Sequence, residues 1–288
     1  MFWNHPDIQA LIRAALREDS AQSDATTRLL IDPAWRVQAS IVANQNGVVA
    51  GLPLASLMFK AMDPQIRFKP LLHDGASVRP GETLAVIKGS ARSILSAERP
   101  VLNTLQHLSG IATYTHQQVL RLKGTKAKVY DTRKTLPGWR QLQKYAVRCG
   151  GGQNQRMSLS DAIMIKENHL RVARLAKSNW IGRTQSLMRR RGSPVVQMEI
   201  QTERDFKDAL LLAPPRVLLD NLPPKTSKRM LRDLRRAIPG IEIEITGGVR
   251  PETLRPLAQL GPDRISMGRL TQAGSVFDCS LDITHVYT

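Results

Sequence analysis

Between residues 131 and 170, the cations Arg133, Lys134, Arg140, Lys144, Arg148, Arg156 and Lys166 flank a triple glycine, Gly150-Gly151-Gly152. Guanidinium forks grip carboxylate or phosphate through paired hydrogen bonds. Glycine, lacking a Cβ, lets backbone N–H groups come close to an anion. Together they suit a small, highly charged anionic substrate. Basic runs more often mark a solvated surface. Here the cations fall at the ends of apolar segments and beside glycines rather than along one helical face, which favours a site.

Further polar residues recur at the ends of short apolar segments. Segments 127–131, 162–166, 195–200, 216–219, 241–245 and 264–267 read as strands. Arg133-Lys134 lie past the first, Lys166 ends the second and Glu199 sits late in the third. Asp220-Asn221 follow the fourth, Gly247-Gly248 the fifth, and Gly268 the sixth. Parallel α/β barrels place their chemistry at the carboxyl ends of strands, often with phosphate held by the loops after the last two. Glu199 and Asp220 oppose the surrounding charge and suit Mg²⁺ or ribose hydroxyls. An ion pair with neighbouring lysines or arginines explains them equally well at this level. Backbone donors at Thr246-Gly247-Gly248 and Met267-Gly268 suit a 5′-phosphate. Arg99, from earlier in the chain, is a further candidate cation.

The elements that must position these residues follow from periodicity and punctuation. Helical stretches separate the strands, most clearly 226–237 and 252–260. Thr202-x-x-Asp205 offers a capping box, and Pro251 with Gly261 brackets another helix. Earlier, 7–18 carries an apolar helical stripe, Arg36–Ala43 alternates like a half-buried strand, and 54–62 reads as a short helix. Residues 66–88 read as strands broken at Asp74-Gly75 and Pro80-Gly81. A helical pattern then runs from Ser93 to about Leu122, weakened at Ser109-Gly110. The expected fold is α/β: an N-terminal α+β sandwich-like domain (1–109), then a parallel α/β barrel-like domain (110–275), with a tail (276–288) packing back on the first.

Composition bounds the function. The chain has 288 residues, 42% hydrophobic, with 42 Lys+Arg against 24 Asp+Glu and a formal charge of +18. The excess implies an acidic partner: anionic substrates, nucleic acid or a membrane surface. No apolar run approaches the roughly 20 residues of a membrane span, and the start shows no signal pattern. Cys149 and Cys279 have no metal or redox spacing, so reduced thiols and a cytoplasmic protein are expected. A basic nucleic-acid-binding protein is the competing class, from Arg189-Arg190-Arg191 and the cations of 225–236. There Met230, Leu231, Leu234 and Ile238 take the complementary positions, which an amphipathic helix with a solvated basic face explains. Aromatics are only 5%, and no nucleic-acid motif appears, so nucleic acid is disfavoured.

The motifs DTRKTLPG (131–138), KYAVRCGGG-x-N-x-R (144–156) and LSDA-x-x-IK-x-NH (159–169) resemble the quinolinate phosphoribosyltransferases. The resemblance extends from ALRED near the start to SMG-x-LT near the end. It implies transfer of phosphoribosyl from phosphoribosyl pyrophosphate to quinolinate, giving nicotinate mononucleotide, pyrophosphate and CO₂ in NAD biosynthesis. A phosphoribosyltransferase for another aromatic acid is the close alternative. The resemblance also implies a basic pocket of Arg133, Lys134, Arg156 and Lys166 and acidic residues Glu199 and Asp220 near Mg²⁺, through water or directly, and ribose. It adds a phosphate cradle of Gly247, Gly248 and Gly268. Finally, it implies a homodimer with shared sites, Arg99 being lent by the partner. Lys134, Lys166, Glu199 and Asp220 are the expected catalytic groups. The chain departs from the family pattern at Gln155, where histidine is usual, at Arg269 and Gln272, and in residues 18–26, which lack the usual glycines. Gln155 is expected to orient a substrate carboxylate by a neutral hydrogen bond.

Overall fold

The computed structural model describes residues 2–288. In chain order the elements are α1 Pro6–Glu18, α2 Ala25–Leu30, β1 Arg36–Ala43, β2 Gly47–Val48, α3 Leu52–Met62, β3 Arg67–Pro70, β4 Ser77–Val78, β5 Thr83–Ser90 and α4 Ala91–Arg121. They continue as β6 Lys128–Tyr130, α5 Arg140–Cys149, β7 Ala162–Ile165, α6 Glu167–Leu175, α7 Trp180–Met188, β8 Val195–Ile200, α8 Glu203–Leu212, β9 Arg216–Asp220, α9 Pro224–Ala237, β10 Glu242–Thr246, α10 Pro251–Gln259, β11 Arg264–Ser266, α11 Arg269–Gln272 and β12 Cys279–Tyr287. By contacts the chain forms two units. The first holds the residues up to His116 with Thr135–Gly151 and Leu270–Thr288; the second holds Gln117–Lys134 and Gly152–Arg269.

The first unit is built on an antiparallel sheet of order β12-β1-β5-β3, beside a two-stranded β2-β4 pair. The alternation of β1 buries Val37, Ala39, Ile41 and Ala43 on one face, and β12 pairs along its other edge from Arg36↔Tyr287 to Ala43↔Cys279. Asp74 does more than turn the chain. Its carboxylate accepts the N–H groups of Gly51 (2.8 Å) and Leu52 (3.1 Å) at the start of α3 and the Tyr145 hydroxyl (2.7 Å), so it caps one helix and ties down another. Helix α4 runs unbroken through Ser109-Gly110. Gly110 is a close-approach site: a Cβ there would lie 2.1 Å from the Ser275 carbonyl oxygen.

The second unit is a six-stranded parallel sheet of order β6-β11-β10-β9-β8-β7. Strands β7 to β11 lie side by side in chain order, with a helix between most neighbours, and β6 pairs with β11. The two edge strands, β6 and β7, do not pair; a single parallel bridge joins Tyr130 to Gln153 in the approach to β7. The sheet is therefore an open α/β barrel, the class expected. Its outer apolar face, including Val196, Met198, Ile200, Val217, Leu219, Ile243 and Ile245, packs on Phe206, Ala209, Met230 and Leu234 of α8 and α9. Thr202 and Asp205 form the expected capping box, and Gly261 ends α10 at φ +86°. Among the described residues no helix is long and apolar enough to cross a membrane.

Candidate active site

Because the six strands are parallel, residues at their carboxyl ends share one edge of the sheet. Lys166 directly follows β7, Glu199 lies near the end of β8, Asp220 ends β9, and Thr246 ends β10. Arg133 and Lys134 follow β6, and Gly268 follows β11. The strand ends read from sequence thus lie along one edge, and several of these residues touch.

Lys166 Nζ lies 2.6 Å from Glu199 Oε1. One strand further, Asp220 Oδ2 accepts Gln201 Nε2 at 2.6 Å, which fixes the carboxylate. Asn221 adopts φ +53°, and its N–H reaches the Thr246 carbonyl oxygen at 3.0 Å. Gly247, at φ +84°, meets this turn so closely that a Cβ would lie 2.4 Å from Asn221 Cγ and 2.5 Å from Asp220 Oδ1. Only glycine fits there, by backbone conformation and by space. The Ser266 hydroxyl donates to Thr246 Oγ1 at 2.7 Å. Glu199 and Asp220 are thus two rim carboxylates on adjacent strands. Among the described residues no group of three His, Cys, Asp or Glu is placed to hold a metal. Such a donor set fits Mg²⁺ that keeps water and substrate-phosphate oxygens, and does not fit an all-protein cage.

The cationic side is equally specific. Arg156 donates from Nη1 to the Ala162 carbonyl oxygen at 2.8 Å. Burial, then the adjacent Arg133, pull its pKa down despite Glu199 and Asp161. Two guanidiniums close enough to oppose each other's charge create a field that an anion relieves. Arg133 Nε is buried with no hydrogen-bond partner among the described residues.

Three expectations need correction. The triple glycine is no anion cradle: Gly150 and Gly151 end α5, Gly151 at φ +85°. A Cβ on Gly150 would lie 2.3 Å from the Ala112 carbonyl oxygen. These glycines serve helix termination and packing. Arg140, Lys144 and Arg148 lie on α5 in the first unit, and Lys144 is buried. The Met267 N–H, expected as a phosphate donor, is spent on the Tyr130 carbonyl oxygen at 2.9 Å. Arg99 is exposed on α4 in the first unit. The Gln155 amide points to a buried partner, donating from Nε2 to Glu244 Oε1 at 2.5 Å.

Glu244 and its surroundings escaped the sequence reading. Glu244 is fully buried; burial holds its carboxyl above its ordinary value, and Arg264, with Nε 3.1 Å from Oε2, offsets this only in part. Asp131, also fully buried, accepts the Gln155 N–H (2.8 Å) and Asn154 Nδ2 (2.5 Å). The available signal was the alternation Glu242-Ile243-Glu244-Ile245 inside a central strand, whose middle residues are buried on both faces. On the outside, α9 buries Met230, Leu231 and Leu234. Its Arg229 pairs with Glu203, Arg232 with Asp233, and Arg235 with Asp263. The amphipathic-helix account of its charge is sufficient.

Comparison with known proteins agrees with this geometry. The model of the quinolinate phosphoribosyl transferase C-terminal domain matches residues 111–282, and that of the N-terminal domain residues 24–109. A probable nicotinate-nucleotide pyrophosphorylase [carboxylating] of Bacillus subtilis is 35% identical over 285 residues, 98% of this chain and 95% of the relative. The nicotinate-nucleotide pyrophosphorylase [carboxylating] of Mycobacterium leprae is 37% identical over 281 residues, 94% of this chain and 95% of that one. The solved nicotinate-nucleotide pyrophosphorylase from Francisella tularensis superposes with a TM-score of 0.89 at 32% identity, covering 99% of both chains. Motifs, fold and full-length likeness converge, and the chain belongs to the quinolinate phosphoribosyltransferase family.

Proposed function

We propose that this protein transfers phosphoribosyl from phosphoribosyl pyrophosphate to the ring nitrogen of quinolinate. The products are nicotinate mononucleotide, pyrophosphate and CO₂, a step of NAD biosynthesis. Beyond family membership, the observation that supports this most is the gathering of Arg133, Arg156 and the Lys166–Glu199 pair at the carboxyl ends of neighbouring parallel strands and the segments that follow them. A dicarboxylate substrate neutralises two cations that otherwise repel.

In this reading Arg133, Lys134 and Arg156 bind and orient the quinolinate carboxylates, and Gly247-Gly248 and Gly268 receive the 5′-phosphate by backbone N–H. Glu199 lies where ribose gains positive charge as its bond to pyrophosphate breaks, and Lys166 offsets the charge that leaves. Glu199 and Asp220 would hold Mg²⁺ through water; bound there, the ion screens the pyrophosphate oxygens. Once the ring nitrogen joins ribose it is a pyridinium, which stabilises the carbanion formed as the adjacent carboxylate departs. The protein's task is positioning and charge. The active unit is a homodimer, with the partner subunit's Arg99 closing the acid site.

Purified protein given phosphoribosyl pyrophosphate and carboxyl-labelled quinolinate should release CO₂ and nicotinate mononucleotide in equal amounts, and EDTA should stop the release. Product from nicotinate without CO₂, or none from quinolinate, would overturn the assignment.

A further inference from the structure

The inside of the open barrel is polar where barrels of this kind are usually filled by branched apolar side chains. Gln197 of β8, Glu244 of β10 and Arg264 of β11 are all buried there. Both amide atoms of Gln197 lack a hydrogen-bond partner among the described residues. The Glu244 carboxylate accepts Gln155 Nε2 at 2.5 Å and forms an ion pair with Arg264, whose Nε lies 3.1 Å from Oε2. The Arg264 guanidinium lies 3.6 Å from the centre of the Tyr130 ring, which fixes its own position.

This arrangement settles which way Gln155 faces. The Gln155 amide presents its NH₂ to Glu244, donating from Nε2 to Oε1 at 2.5 Å. The same residue is anchored a second time through its backbone, whose N–H donates to Asp131. Its chain neighbour is Arg156, fixed beyond by Ala162. A guanidinium grips a carboxylate well only when its plane is held in one orientation.

We propose that Glu244 is a positioning residue for the acid-binding arginine: through Gln155 it sets the direction from which Arg156 meets the substrate carboxylate. The inference rests on the functional reading above and deepens it. It separates two roles within one cluster, Arg264 offsetting part of the cost of burying Glu244 and Gln155 passing its fixed position to the rim.

Three variants test it by steady-state kinetics with each substrate varied in turn, and by thermal melting. Glu244→Gln sets an amide against Arg264 and should lower the melting temperature. The double variant E244M/R264M leaves no stranded charge and should melt closer to the parent. Gln155→Leu breaks the link from the other end without touching the ion pair. In all three, KM for quinolinate should rise about tenfold or more, the order expected on loosening a charge-assisted contact, while KM for phosphoribosyl pyrophosphate stays within about twofold. Parent-like quinolinate KM in Gln155→Leu, or in a stable double variant, would show that the cluster only supports the fold. A parent enzyme that does not consume quinolinate would overturn the functional reading and this inference with it.

Discussion

Lys166 Nζ stands 2.6 Å from Glu199 Oε1, with the lysine side chain 45% exposed and the glutamate 11%. Water reaches the lysine end of the pair and screens it, while the glutamate is nearly buried. Lys166 supplies charge to the rim and, half exposed, contributes little to the core. Lys166→Ala should therefore melt near the parent temperature yet lose one to two decades of turnover, about 1.5–3 kcal/mol of transition-state stabilisation. Lys134→Ala should behave alike. Near-normal turnover in both variants would remove them from the site.

Gly247 and Gly248 both adopt positive φ, yet they should respond differently to alanine. At Gly247 the new Cβ would collide with Asn221 and Asp220; at Gly248 its nearest neighbour is Asn221 Oδ1 at 3.5 Å. Gly247→Ala should displace Asp220 and raise KM for phosphoribosyl pyrophosphate severely. Gly248→Ala should cost only its backbone strain, about 1–3 kcal/mol of stability. Equal kinetics for the two variants would contradict the contact.

Arg99 is exposed on α4, while the other proposed residues belong to the second unit or its rim. If it serves the partner subunit, Arg99→Ala and Glu199→Ala dimers should be inactive alone and recover on subunit exchange. With random pairing, half the dimers are mixed and one site in two is native, giving about a quarter of parent activity. Verified exchange without recovery would sink the shared-site arrangement.

Asp205 gives a pH dependence separable from catalysis. Burial pushes its carboxyl up, but Arg174 at 2.7 Å, the Thr202 hydroxyl and the Gln201 N–H outweigh this and hold it below the ordinary carboxylate value. A depressed folded pKa contributes stability above the unfolded value of about 3.9 and loses it as pH falls through the folded one. Asp205→Asn should cost about 1–3 kcal/mol at neutral pH and flatten the acid limb of stability against pH below about 4. An unchanged acid limb would remove Asp205 from the acid response.

The rim could be read from sequence because each strand is a short apolar run closed by a residue that does not belong in it. Lys166, Asp220 and Gly247 stand out in that way, and the capping box at Thr202-x-x-Asp205 is local chemistry written in four residues. What stayed hidden depends on which face is buried. Glu242-Ile243-Glu244-Ile245 alternates as a strand with one wet face would, and only closure of the sheet turns Glu244 inward. Likewise Gly110 and Gly150 look like breaks or anion sites until the chain packed against them is known. Met267 looks like a free donor until β11 pairs with β6.

Strand β12 gives this protein a problem of timing during synthesis. It covers the outer edge of β1, and Gln38 and Thr284, bonded across that edge, are 246 positions apart in the chain. At about 5–20 residues per second, the ribosome emits β1 roughly 10–50 s before the strand that covers it. Through that interval the nascent chain carries an open strand edge, a template for pairing with any other exposed strand. Its yield in the cell should depend on whatever shelters that edge during translation, as well as on the stability of the finished fold.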